Sequence, residues 1–532
     1  MENNVMGFPI LSVITYLPLI TALAILFMRP GKRIGQFAAL GTAVNLGLSI
    51  VALIFYLMSP ASAQGGVASF DLQEKFIWLQ ELNIGYHFGV DNISILLVVL
   101  TTLLTLISIM VSWNPIQKRV KEYYIALLVL QTGMLGVFVS LDFFLFYIFW
   151  ELVLLPMALI IGIWGSANRV YAAIKFFLYT LAGSLLMLVA IIALYLNSSP
   201  QTLDVLELMR QGPTFARDFQ NWVFLAFAAA FAVKVPMWPV HTWLPDAHVE
   251  APTAGSIILA GVMLKLGAYG FIRFAMPITP AGAATFAWVM VGLSVIAIIY
   301  GALVSLVQPD LKKLVAYSSV SHMGFVTLGL FTGVWLNQLN YGDATQGIDG
   351  AIFVMLSHGV LTGGLFLCVG AIYNRLHTRQ IADMGGLTKP MPRFSVLFMI
   401  MMMGSVGLPG LSGFVGEFLT MVGAFRADWV VGAITTFVVI LAAWYLLWMF
   451  QRVMFGKLTP LAQEGHGHEE VKDADWIETS TLGVLAALAI LMGVFPGPLL
   501  EMIHPNTQAL LHTVTAQIPN AMALTDMLPF FK

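Results

Sequence analysis

The sequence predicts an all-α polytopic membrane protein of about fourteen transmembrane helices, and three observations carry that reading. Of its 532 residues 59% are hydrophobic and only 10% charged, with a mean hydropathy of +0.88; soluble domains carry about 25% charged residues. Apolar runs of about 20 residues, enough to cross a bilayer, recur from one end of the chain to the other. The basic residues also gather in alternate loops, as they do when a topology is fixed by the positive-inside rule. The net charge of −2 argues against nucleic acid as a partner.

Taken in order, the expected spans lie near 8–28, 34–58, 89–112, 122–140, 143–164, 172–196, 222–246, 254–274, 283–306, 314–334, 350–374, 394–424, 430–450 and 478–496. The first run, Phe8 to Phe27, is long for a signal sequence and has no basic segment before it, so it reads as a retained helix. The stretch 222–246 ends in a cluster of prolines, and 394–424 is too long for one simple span. With the N-terminus outside, the inward loops hold Arg29, Lys32, Arg33, Lys118, Arg119, Lys121, Arg169, Lys175, Lys312, Lys313, Arg375, Arg379, Lys389, Arg393, Arg452, Lys457 and Lys472. The outward side holds only Lys75, Arg210, Arg217, Arg273, Arg426 and Lys532. An even number of spans places both termini outside, together with acidic loops at 71–81 and 204–218. The polar loop at 456–475 carries His466 and His468 and reads as a solvated loop rather than a metal site.

The chain divides into an N-terminal three-helix segment (1–121), two five-span blocks (122–274 and 283–450), and a last section (451–532) with a polar loop, one more span and a tail. The proline-broken stretch Lys234-Val-Pro236-Met-Trp-Pro239 in one block answers Gly407-Leu-Pro409-Gly410-Leu-Ser-Gly413 in the other. Interrupted hydrophobic segments in matching places of two halves point to a transport site. The match is one of spacing, not of residue identity. A single cysteine, Cys368, forms no internal disulfide and falls short of the four thiolates that iron–sulfur clusters usually take. With no haem or dinucleotide motif in view, the chain is expected to carry no cofactor of its own.

Four ionisable side chains lie deep inside expected spans: Glu151, Lys234, Lys265 and Glu417. Each costs at least roughly 2.5–3.5 kcal/mol to insert, which makes each a functional candidate by default. The bland reading of Glu151 is a structural ion pair or a carboxyl bonded to helix carbonyls, and the insertion cost favours the functional one. Pro236 removes a backbone donor beside Lys234 and frees nearby carbonyls, and irregular backbone at membrane depth is tolerated only within protein or beside a water-filled cavity. The central position of Lys234 speaks against snorkelling. Lys265 has Gly261, Gly267 and Gly270 around it, which allow close helix packing. Glu417 follows the break in the long span. His241, His322 and His358 fall within or beside spans and titrate near neutral pH, so they are relay candidates, although each alone could be a satisfied core histidine. His248 and Glu250, at a helix boundary, read as loop polars.

The run Phe231-Ala-Val-Lys234 through Trp243-Leu-Pro-Asp-Ala-His248 to Gly255 is highly specific. So are its continuation Leu259 to Gly270, the segment Phe149-Trp-Glu151-Leu-Val-Leu-Leu-Pro156, and Gly407 to Phe418. Together they resemble, over essentially the whole chain, the M-type (subunit-4 type) antiporter-like membrane subunits of bacterial proton-pumping NADH:quinone oxidoreductase, respiratory complex I. The wider family includes subunits of multi-subunit cation/proton antiporters and membrane-bound hydrogenases. The resemblance implies fourteen helices with two inverted five-helix repeats, each containing a broken helix, in a multi-pass inner (plasma) membrane protein. It also implies that Glu151 pairs with Lys234, that Lys265 is central, and that Glu417 lies toward the outlet. Flavin, iron–sulfur clusters and quinone chemistry would belong to partner subunits. The tail 498–532 shows no long amphipathic helix, so no lateral arm is expected.

On this reading electron transfer elsewhere acts on a Glu151–Lys234 contact pair. At about 4 Å and an effective dielectric of about 20, such a contact is worth roughly 4 kcal/mol, or about three pKa units. Opening it would push a proton from Lys234 through His241 to Lys265 and on toward Glu417. Three rival readings are weighed: a sodium-exchanging cation/proton antiporter subunit, a non-conducting membrane scaffold, and a self-contained membrane oxidoreductase, which would need a cofactor site that the sequence does not show.

Overall fold

In the computed structural model, residues 7–31, 33–59, 69–338, 345–464 and 471–515 are described; His466 and His468 lie outside them. The chain is a helical bundle, and among the described residues twelve helices are long and apolar enough to cross a membrane. They are α1 (Ile10–Phe27), α2 (Arg33–Leu57), α3 (Asn92–Val111), α4 (Val120–Val139), α5 (Phe143–Trp164) and α6 (Arg169–Asn197). After a short α7 (Val205–Gln211) comes the first interrupted span, α8 (Arg217–Lys234) and α9 (Trp243–Glu250). Then follow α10 (Thr253–Ile278), α11 (Pro280–Leu306), α12 (Leu311–Gln338) and α13 (Thr345–Leu376). The second interrupted span is α14 (Pro392–Val406) and α15 (Ser412–Ala427). The remainder is α16 (Trp429–Met454), a short α17 (Pro460–Glu464), α18 (Trp476–Val494) and α19 (Gly497–Thr515).

Three of these helices form the interior. The most apolar window is wholly buried in α10 and α13 and 94% buried in α12, against 39–44% in α6, α11, α16 and α18. A helix without a lipid-facing side can carry polar groups that lipid would not accept, and these three carry Lys265, His322 and His358. Their close approach rests on missing side chains. A Cβ on Gly359 of α13 would lie 2.9 Å from the Gly261 carbonyl oxygen of α10 and 2.7 Å from Leu100 Cδ2 of α3. Gly359→Ala is therefore expected to push α10 from α13. Overpacking of this kind costs about 1–3 kcal/mol, and thermal denaturation of the purified assembly measures it.

The helix breaks have separate causes. After α8, Pro236 ends the hydrogen-bonded ladder, and the Val233 carbonyl is taken up by the indole N–H of Trp243 at 2.9 Å. Between α14 and α15, Gly407 (φ 86°) and Gly410 (φ 92°) occupy left-handed backbone that disfavours a side chain. In α10, π-turns at Leu259–Met263 and Phe271–Ala275 interrupt an otherwise continuous helix, and such bulges release carbonyls from the ordinary pattern.

The structure corrects several expectations. The acidic stretch at 71–81 is not a loop but one arm of an antiparallel hairpin, β1 (Asp71–Leu79) with β2 (Ile84–Val90). Asp204 ties the second acidic stretch to it, accepting from Lys75 at 2.6 Å and meeting His87 at 2.9 Å. Burial alone would raise the Asp204 carboxyl, but these two partners hold it well below the usual carboxylate range. A charge–charge lock between segments far apart in sequence leaves no periodic trace. In the tail, where no long amphipathic helix was expected, α19 runs for 19 residues. It packs on the bundle, where Asn506 donates to Asp91 at 2.8 Å and Thr507 donates to Asp349. Arg273 is not a loop cation. It is buried, ion-paired to Asp91 and set over the Phe70 ring at 4.5 Å. Lys175 and Lys312 likewise belong to helices α6 and α12, and Lys175 pairs with Asp246 at 2.7 Å.

Candidate functional site: a buried chain of ionisable groups

Four helices bring together four of the sequence-predicted residues. Lys265 of α10 is fully buried, and its Nζ shares a hydrogen bond with Nδ1 of His358 of α13 at 2.8 Å. The same Nζ donates to the carbonyl of Ala260, inside the first π-turn. The His358 ring faces the His322 ring of α12, with centroids 5.9 Å apart. His322 Nδ1 meets Glu417 Oε1 of α15 at 2.6 Å. The order Lys265, His358, His322, Glu417 thus runs across α10, α13, α12 and α15 without leaving the buried core. Nε2 of both histidines is buried and meets no protein partner among the described residues. A buried polar atom left unpartnered costs about 1–3 kcal/mol, so two in adjacent rings are not packing residues.

The other predicted residues are spread wider. Lys234, 2% exposed at the end of α8, sits over the Trp150 ring of α5 at 5.1 Å. Glu151 is next to that tryptophan, and its field reaches Lys234. Among the described residues the two make no ion pair within 4.0 Å, so the pair expected to be in contact is open. Trp150 gives the physical reason, since its ring occupies the ammonium through a cation–π contact. Glu151 Oε1 is buried without a protein partner. His241 is buried against Tyr300, ring centroids 4.9 Å apart, with both ring nitrogens unpartnered. Its charged neighbour is Lys175 rather than Lys265.

His248 is the residue that sequence reasoning passed over. It is no loop polar: it lies in α9, fully buried, stacked on Phe366 at 4.4 Å with both ring nitrogens unpartnered. The cations whose fields reach it are Lys312 and Lys265. Pro252, two residues past Glu250, is a helix stop signal that already placed His248 inside a helix. Glu250 is also buried, with Oε2 accepting from the Asn168 amide at 2.9 Å.

Comparison with known proteins decides what kind of chain carries this array. The family described as NADH:quinone oxidoreductase/Mrp antiporter, transmembrane, matches residues 140–442, and the amino-terminal family of NADH-ubiquinone oxidoreductase chain 4 matches 16–138. NADH-quinone oxidoreductase subunit M of Rhodobacter capsulatus is 46% identical over 522 residues, covering 96% of this chain and 98% of that protein. The chain belongs to the family of antiporter-like membrane subunits of NADH:quinone oxidoreductase. Other relatives in that family are subunit M of Rickettsia prowazekii and chain 4 of Marchantia polymorpha. Each is 42% identical, over 94% of this chain and 99% and 96% of theirs. A chain of respiratory complex I from Thermus thermophilus with bound NADH superposes with a TM-score of 0.83 at 32% identity, over 95% of this chain and 99% of that one. A chain of the Mrp complex of Dietzia sp. shares the fold, with a TM-score of 0.78 at 20% identity over 95% and 99%.

Chemically, every link of the buried array is a proton donor or acceptor, and each histidine can accept at one nitrogen while releasing from the other. The array can hold and pass protons.

Proposed function

We propose that this chain is an antiporter-like subunit of complex I that moves protons across the membrane, driven by NADH:quinone electron transfer in partner subunits. The observation that carries the proposal is the buried succession Lys265–His358–His322–Glu417, joined at 2.8 Å at one end and 2.6 Å at the other. Glu151 and Lys234 form the driving pair. His248, flanked by the fields of Lys312 and Lys265, takes the linking role that the sequence reading gave to His241. His241 remains a candidate branch beside Lys175. Glu417 delivers toward the outlet. The basic ends of the helices face the cell interior and both termini face outward, in an inner (plasma) membrane. Residues 122–274 and 283–450 are the two inverted repeats, each with its broken helix, and complete a set of fourteen spans. The chain binds no flavin, iron–sulfur cluster or quinone; these belong to the partner subunits. Neighbouring antiporter-like subunits flank it in the bilayer.

The Mrp-like fold keeps one rival in view, a subunit exchanging sodium for protons. Imidazoles favour protons, because sodium prefers oxygen ligands and a lysine repels it. In proteoliposomes of the purified assembly, proton uptake driven by NADH oxidation is expected to be unchanged when sodium is replaced by a large organic cation. Loss of uptake without sodium would favour the antiporter reading. A scaffold would leave the cost of the buried charges unexplained.

A further inference from the structure

The basic end of α12 holds a cation that the proposed path does not yet use. Lys312 is buried, 7% exposed, where His248 and Lys265 have no exposure at all. Its Nζ donates to the carbonyl of Ala251, directly after α9 and three residues past His248. Among the described residues no carboxylate lies within ion-pair distance of it. The acidic groups that face it are engaged elsewhere. Asp310 caps α12 and pairs with Arg379 at 3.4 Å, and Glu250 accepts from the Asn168 amide at 2.9 Å. A buried ammonium held by one carbonyl is a costly way to fasten a helix end. Fastening is also supplied already: Arg379 donates to the Val249 carbonyl, one residue past His248. Leu311 and Arg379 are themselves fixed to each other, amide to carbonyl, at 2.8 Å. Lys312 therefore stands at a rigid rim, in slight contact with solvent, with an unpartnered imidazole next inward.

We propose that Lys312 loads protons into this chain from its basic end, passing them to His248 and so to Lys265. One N–H bond of the Lys312 ammonium breaks, and a proton is relayed through bridging water to a ring nitrogen of His248 that has no protein partner. The other ring nitrogen releases its proton through water to the neutral amine of Lys265, and a hydronium ion from the bulk returns Lys312 to its ammonium form, leaving water. The charged and titratable groups around Lys312 are Arg379, Asp310, Glu250 and His248. Arg379 and Glu250 would position the helix end without carrying protons.

This inference rests on the proton-path reading above, and the test separates the two. Lys312→Arg keeps the charge and the donor to Ala251 but does not release a proton at working pH, and Lys312→Gln keeps only a donor. With the assembled complex in proteoliposomes, proton uptake per NADH is expected to fall about tenfold or more in both variants. Uptake within about twofold of the parent in either assembled variant, which is under 0.5 kcal/mol, would overturn the role. So would failure of both variants to assemble, since Lys312 would then be a structural cation. Lys265→Ala is the control. If it too pumps normally, the path itself is wrong; if it alone is inactive, only the loading role falls.

Discussion

Lys265→Ala is expected to abolish proton movement through this chain. Lys265 is the basic side chain that α10 delivers to the His358 ring, and the most apolar window of α10 is wholly buried. Truncation removes the donor to the Ala260 carbonyl as well. The two groups left behind, a ring nitrogen and a carbonyl, each cost about 1–3 kcal/mol when buried without a partner. Assembly is therefore checked before transport is read. Lys265→Arg is the sharper companion, because a guanidinium keeps the positive charge yet holds its proton at any working pH. Both variants are expected to lower proton uptake by at least about tenfold. With tight coupling, NADH oxidation falls in parallel. Normal uptake by the arginine variant would show that the charge matters at this point and proton release does not.

Much of this was legible in the residues. Long apolar runs announce helices because a bilayer leaves few alternatives, and the twelve long helices fall where the runs do. The prolines after Lys234 and the glycines before Glu417 announced the two breaks. Lys265 and Glu417 stood out as costly buried charges, and His322 and His358 as relay candidates that could each have been core histidines. That they form one succession was not legible, because it depends on how α10, α12, α13 and α15 rotate about their axes. Small residues such as Gly261 and Gly359 set that rotation. The hairpin at 71–90 was hidden by its length, and its lock through Asp204 by sequence distance. His248 was missed because it stands at the end of a helix of 8 residues. Arg273 and Lys312 were counted with the loops because they lie near span ends, while the structure buries both.

The open geometry of Glu151 and Lys234 gives the second large effect. With Trp150 under the ammonium and no contact between the charges, the coupling is below the roughly 4 kcal/mol of a 4 Å pair at a dielectric of about 20. At a separation of about 8 Å the same relation gives roughly 2 kcal/mol, or about 1.5 pKa units. On the proposed reading, movement between open and closed positions would change how strongly Glu151 holds the charge of Lys234, and so switch the proton transfer. Lys234→Ala removes the group on which electron transfer would act, yet leaves the Lys265–Glu417 succession in place. The direct test is the number of protons taken up per NADH oxidised by assembled complex carrying Lys234→Ala. The account predicts a clear fall in that ratio, or joint loss of uptake and NADH oxidation if the two are tightly coupled. An unchanged ratio at an unchanged rate would contradict it and leave the buried charges as structural features of a membrane scaffold.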